Sequence, residues 1–254
     1  MTFVEQLDRT ISRNHSLLCV GLDPDLSRLS PTFLKTDDPL FSFNKAIIDA
    51  TKELVCAYKP NSAFYEMHGL VGLAALLKTI EYLHRETNVP VILDAKRGDV
   101  GHSSAAYAKA AFEAFKADAV TVNPYLGHDS VKPFLDHQDK GVFILCLTSN
   151  PGAEDFEADL YKKVAAKAKE WNKHGNIGLV VGATKPAELK EIVKVSGEMP
   201  LLVPGVGAQG GDLEAVVKFG GQRPIINASR SIIYAANPAS EAKKLKEEIN
   251  KHRS

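Results

Sequence analysis

The sequence predicts an α/β protein, a single (β/α)8 or TIM barrel in which residues 1–254 form one domain. Three observations predict it. Short, continuously apolar runs recur eight times, as expected of parallel strands buried on both faces. Helix-like stretches separate the runs, with Gly and Pro at the junctions. A length of 254 residues suits one such barrel. An open, doubly wound sheet is the alternative layout of the same repeats. The first run is followed by no Gly-x-Gly-x-x-Gly, which disfavours that alternative.

The eight runs are residues 17–22, 55–58, 89–93, 119–122, 142–147, 177–181, 201–203 and 224–226. Between them, residues 103–116 are rich in Ala, Lys, Glu and Phe, and residues 159–171 alternate Ala with Lys. Residues 186–195 and 212–219 read as shorter helices, and residues 241–251 as the last one. In a barrel of this kind the residues just after each strand surround the active site. The C-terminal ends of the runs are therefore where chemistry is expected.

Composition narrows the function classes. Apolar residues make up 44% and charged residues 24%, the balance of a soluble globular protein. Lys plus Arg and Asp plus Glu both count 31, so the basic excess of a nucleic-acid binder is missing and small-molecule chemistry is favoured. Cys19, Cys56 and Cys146 each sit in or beside an apolar run and read as reduced core thiols rather than a disulfide framework. The N-terminal residues show no signal-peptide pattern, and no apolar run approaches the ~20 residues needed to span a bilayer. A cytoplasmic location, with no membrane and no nucleic-acid partner, is the expectation. The eight histidines show no metal-ligand spacing; His102 and His128, near strand ends, are weak candidates for a role.

The strand ends are polar. Asp23 follows the first run, Lys59 the second, Asn123 the fourth, and Ser149-Asn150-Pro151-Gly152 the fifth. The third ends in Asp94-Ala95-Lys96-Arg97-Gly98-Asp99. Asp94 and Lys96 are two apart, so regular strand alternation puts them on one face. Asp23, Lys59 and Asp99 add to a cluster of five charges, in which opposite signs hold one another ionised. Gly205-Val206-Gly207-Ala208-Gln209-Gly210-Gly211 reads either as a tight turn or as an anion cradle at a helix N-terminus. Arg230, after the last strand, would add a charged fork for phosphate. The segment from Ser149 to Asp155 reads as a lid or as a plain surface loop.

These segments, in this order, resemble the orotidine 5′-phosphate decarboxylases. Asp94-Ala95-Lys96-Arg97-Gly98-Asp99 is similar to that family's Asp-x-Lys-x-x-Asp signature, in the form of its longer bacterial branch. The resemblance covers nearly the whole chain. It implies decarboxylation of orotidine 5′-phosphate to uridine 5′-phosphate, the last step of pyrimidine nucleotide synthesis, without metal or cofactor. It implies that Lys96 protonates C6, that Asp94 lies by the substrate carboxylate, and that Lys59 bridges Asp94 and the ribose. Asp23 would bind the ribose, Ser149 the pyrimidine ring, and Gln209 and Arg230 the phosphate, with Asn150 a further substrate-binding residue. Asp99 and Ser103 would be contributed across a homodimer interface. The chain departs from the family at Ser103, where Thr is common, and at Ser229, where Gly is common.

Three rivals stay open at this point. One is a magnesium-dependent sugar-phosphate decarboxylase of the same superfamily, which carries a metal-binding Glu where this chain has Lys59. Another is a Schiff-base aldolase using Lys96 or Lys59 as the nucleophile. The third is a catalytically dead barrel that binds nucleotides.

Overall fold

The structure, a computed structural model, describes residues 1–205 and 212–253. Eight strands form one parallel sheet: β1 (Leu18–Gly21), β2 (Ala57–Lys59), β3 (Ile92–Arg97), β4 (Ala119–Val122), β5 (Gly141–Leu147), β6 (Ile177–Val181), β7 (Leu201–Pro204) and β8 (Pro224–Ala228). Hydrogen-bonded neighbours run β2-β1-β8-β7-β6-β5-β4-β3, so β2 and β3 are left to close the ring. They meet at two bridges, Tyr58 with Val91 and Asn61 with Asp94. Pro60 and Pro90 lack an N–H and act here only as acceptors, from Asp94 N–H at 2.9 Å and Tyr58 N–H at 3.0 Å. The seam is thereby bridged rather than laddered, and the sheet is a nearly closed (β/α)8 barrel, as the sequence predicts.

Helices follow from the expected causes. Residues Pro186–Ser196 start on a proline at the first turn, and Leu213–Phe219 are capped by Asp212, whose carboxylate accepts from Ala215 N–H at 2.9 Å. The stretch expected as one helix over 103–116 starts earlier, at Gly101, and loosens into a π-type turn over Ala110–Ala114.

The barrel interior is solid. Each strand sends one residue into a single apolar cluster: Cys19, Ala57, Ile92, Ala119, Phe143, Val180, Leu202 and Ile225. Phe143 packs against Gly178, where a side chain would strike its ring. The bottom of the cluster is sealed by a helix that strand periodicity does not reveal, Phe3–Asn14, which inserts Phe3 and Leu7. Thr2 and Glu5 form a capping box at its start, a signal present in the sequence. Phe3 meets Phe143 edge-on with centroids 5.6 Å apart. Outward strand residues such as Val20, Val120, Ile144, Val181 and Ile226 pack in a second, larger cluster with residues of the surrounding helices.

Cys19, Cys56 and Cys146 are all buried free thiols, and burial is the largest cause pushing Cys19 and Cys146 up to about 12. Among the described residues no helix is long and apolar enough to cross a membrane. Phe3→Ala is expected to cost about 3 kcal/mol of stability by leaving the barrel floor open, read as a lower urea midpoint.

Candidate active site

Asp94 is the hub of the barrel mouth. It is 8% exposed, and its carboxylate accepts four hydrogen bonds. Lys59 Nζ donates to Oδ2 at 2.9 Å and Lys96 Nζ to Oδ1 at 2.6 Å. Thr121 Oγ1 donates to Oδ1 at 2.9 Å, and Asn61 Nδ2 to Oδ2 at 3.4 Å. Asp23 joins through Asn61, whose backbone N–H it accepts at 3.1 Å.

Burial is the largest single influence on Asp94 and pushes its carboxyl up. The charges of Lys59 and Lys96 and their hydrogen bonds outweigh it together, holding the group well below the usual carboxylate range. For Lys59, burial again acts most strongly and pushes the ammonium down. Asp94 and then Asp23 reverse this, leaving Lys59 above the ordinary lysine range. Both groups are ionised at neutral pH because each is the other's partner.

The convergence of Asp94 and Lys96 does not come from simple strand alternation. The β3–β4 register jumps from Leu93 opposite Val120 to Arg97 opposite Val122, so four residues on β3 span two on β4. Within this bulge Lys96 takes a left-handed backbone, φ 48°, a conformation that costs on the order of 1 kcal/mol without glycine. Its ammonium turns back onto Asp94, while its side chain stays 45% exposed. Asp99 does not enter the array: its carboxylate accepts from Val100 N–H at 2.7 Å at the edge of the mouth. Four of the five expected charges are therefore brought together.

The remaining candidate residues ring the mouth. Ser149 and Asn150 follow β5; Asn150 accepts from Thr148 Oγ1 at 2.6 Å, and Glu157 clips the same threonine, fixing the base of the loop. Beyond that clip Phe156 is 65% exposed. Ser103 is exposed in the first turn after β3, and Arg230 is exposed at the start of the turn after β8. Gln209 lies outside the described residues. His102 and His128 are exposed and apart from the array, His128 resting against Trp171 with ring centroids 5.2 Å apart. Among the described residues no cluster of three or more His, Cys, Asp or Glu side chains is placed to hold a metal. A cavity of about 770 Å³ opens beside the mouth, between Asn123 and Tyr125 after β4 and Phe156 and Trp171 beyond β5. Sequence reasoning missed Asn61 and Thr121 as members of the array. The signal for Thr121 was a lone hydroxyl in an otherwise apolar strand.

A parallel barrel with an ion-paired Lys–Asp–Lys array at the C-terminal ends of β2 and β3 defines a (β/α)8-barrel enzyme. Residues 16–245 match the model of the orotidine 5′-phosphate decarboxylase / HUMPS family. The chain belongs to that family. The orotidine 5′-phosphate decarboxylase of Herpetosiphon aurantiacus is 49% identical over 248 residues, covering 94% of this chain and 92% of its own. That of Ralstonia pickettii is 50% identical over 254 residues, covering 95% and 93%. Among solved structures, Leishmania donovani OMP decarboxylase superposes with a TM-score of 0.89 at 41% identity, covering 100% of this chain and 99% of its own. Leishmania donovani UMP synthase gives 0.91 at 43% identity; this chain spans 57% of it.

Asp94→Asn is expected to destabilise the fold by about 3 kcal/mol at neutral pH, because it strands the buried Lys59 charge. The Asp94 carboxyl is held low in the fold, so its contribution is complete above the unfolded carboxylate range and lost as pH falls through the depressed value. Urea unfolding of both proteins from pH 7 to pH 3 should show the gap narrowing toward acid.

Proposed function

We propose that the protein decarboxylates orotidine 5′-phosphate to uridine 5′-phosphate, in the last step of pyrimidine nucleotide synthesis. The observation that carries this reading is the Lys59–Asp94–Lys96 array at the mouth of a barrel of this family. Loss of carbon dioxide from C6 leaves an electron pair on a ring carbon with little delocalisation. The Lys96 ammonium, on a bulged turn and held by Asp94, stabilises that charge and transfers its proton to C6. Asp94 stays a carboxylate throughout. Its acceptor sites are filled by its four donors, so it serves as a fixed negative charge rather than a base.

Asp23 and Lys59 hold the ribose, Ser149 the pyrimidine ring, and Arg230 with Gln209 the phosphate, with Asn150 also in the substrate-binding set. Phosphate gripped at the rim supplies binding energy for positioning the reacting carbon over the floor. The reaction needs neither metal nor organic cofactor. Lys59, where the magnesium-dependent sugar-phosphate decarboxylases have a carboxylate ligand, supports this over the metal-dependent reading.

The protein acts in the cytoplasm, as a homodimer in which Asp99 and Ser103 serve the partner's site, with residues 1–254 folding as one domain. The exposure of Met67, Leu70 and Val71 after β2, Val100 and Tyr107 after β3, and Tyr125 and Leu126 after β4 supports the dimer. They follow three consecutive strands, β2, β3 and β4, as Asp99 follows β3.

Carbon dioxide release from orotidine 5′-phosphate should persist in a chelator and fall more than about 10³-fold in Lys96→Ala, with uridine 5′-phosphate binding largely kept. Turnover surviving in Lys96→Ala would overturn the mechanism. Mixed Asp99→Ala and Lys96→Ala proteins should regain activity through hybrid dimers; verified heterodimers without activity would overturn the shared site.

A further inference from the structure

Thr121 is 1% exposed and is the one polar residue of β4. Its hydroxyl has one hydrogen to give and two lone pairs to accept with. The hydrogen goes to Asp94 Oδ1 at 2.9 Å, and a lone pair takes the backbone N–H of Lys96 at 2.9 Å. Valine would fill nearly the same volume with the same β-branched shape, so packing alone gives no reason for a hydroxyl here. A buried hydroxyl costs stability unless it is hydrogen-bonded, and this one is bonded on both sides.

The two bonds meet a specific need of β3. Between Leu93 and Arg97 the ladder to β4 is interrupted, so the amide of Lys96 cannot use a regular β4 carbonyl. That residue is also the one with the left-handed backbone. Its long, half-exposed side chain has many rotamers, and the Asp94 ion pair is the contact that selects one. The Thr121 hydroxyl touches both restraints on Lys96: it accepts from the Lys96 amide and donates to the same Asp94 oxygen that takes the Lys96 ammonium.

We propose that Thr121 is a positioning residue whose hydroxyl couples the orientation of the Asp94 carboxylate to the left-handed turn at Lys96, fixing where the Lys96 ammonium stands in the mouth. Its kinetic consequence rests on the decarboxylase reading; the coupling itself does not. Ribose and phosphate are gripped by other groups, so Thr121 governs the chemical step more than ligand capture.

The test compares Thr121→Val with Thr121→Ser. Thr121→Val should lower kcat by about 10- to 100-fold through misplacement of Lys96, with KM changed less than about threefold. Thr121→Ser, which keeps the hydroxyl, should retain kcat within about fivefold. Hydrogen exchange at the Lys96 amide should accelerate at least about tenfold in Thr121→Val and stay slow in Thr121→Ser. A Thr121→Val enzyme with wild-type kcat, or two variants equally impaired, would overturn the proposal. Should Thr121→Val fail to fold, a Thr121→Ser protein with a rapidly exchanging Lys96 amide would do the same. If the wild-type protein released no carbon dioxide, the decarboxylase reading alone would fall. The Lys96 amide would still decide the coupling, and unchanged exchange in Thr121→Val would refute it.

Discussion

A carboxylate taken out of water must be neutralised or surrounded by donors, and the barrel mouth is arranged around that requirement at Asp94. Its donors come from separate places in the chain: Lys59 at the end of β2, Asn61 just beyond it, Lys96 on the β3 bulge and Thr121 within β4. With Asp23 nearby, two ammonium groups face two carboxylates and the floor carries no net charge. Remove the central carboxylate and burial, the largest influence on Lys59, acts unopposed by its nearest partner. The array is therefore one unit, stable only when complete.

This unit rests on a part of the fold with little freedom. Directly beneath it lie Cys19, Ile92, Phe143 and their neighbours, all buried. The bulge that carries Lys96 is flanked by ladder pairs at Leu93 and Arg97, and Arg97 is tied further out to Glu66 and lies over the Tyr107 ring. The candidate ligand-gripping groups differ. Ser103, Asn150 and Arg230 are exposed on turns past the strand ends, where they can adjust to a ligand. A packed electrostatic array beneath an exposed rim fits the reaction proposed above.

Much of this was legible from the sequence. Seven of the eight apolar runs match their strands to within two residues at each end, because double-sided burial makes a parallel strand apolar throughout. The third was placed too early: residues 89–93 are apolar, but β3 is Ile92–Arg97, its second half carrying charge into the mouth. Pairing alone shifted β2, whose last residue is Lys59, beyond the apolar 55–58. The helix Phe3–Asn14 went unread because strand periodicity says nothing about what stoppers a barrel. The bulge at Lys96 was hidden for another reason. An Asp-x-Lys spacing looks the same in a regular pleat and in a kinked one, and only the register with β4 separates them. Asn61 and Thr121 were missed because neutral hydrogen-bonding groups stand out less than charges.

The helix Phe3–Asn14 also sets a schedule. Its Phe3 amide donates to Asp139 O at 2.8 Å just before β5, and its Asp8 pairs with Arg223 at the threshold of β8. It leaves the ribosome before every surface it docks on. Until β5 has emerged Phe3 has no Phe143 to meet, and until Arg223 has emerged Asp8 has no partner. The apolar face bearing Phe3 and Leu7 must wait, exposed, through most of synthesis, and the barrel is stoppered only when its final strand arrives. The segment that precedes every strand of the barrel is among the last to find its place.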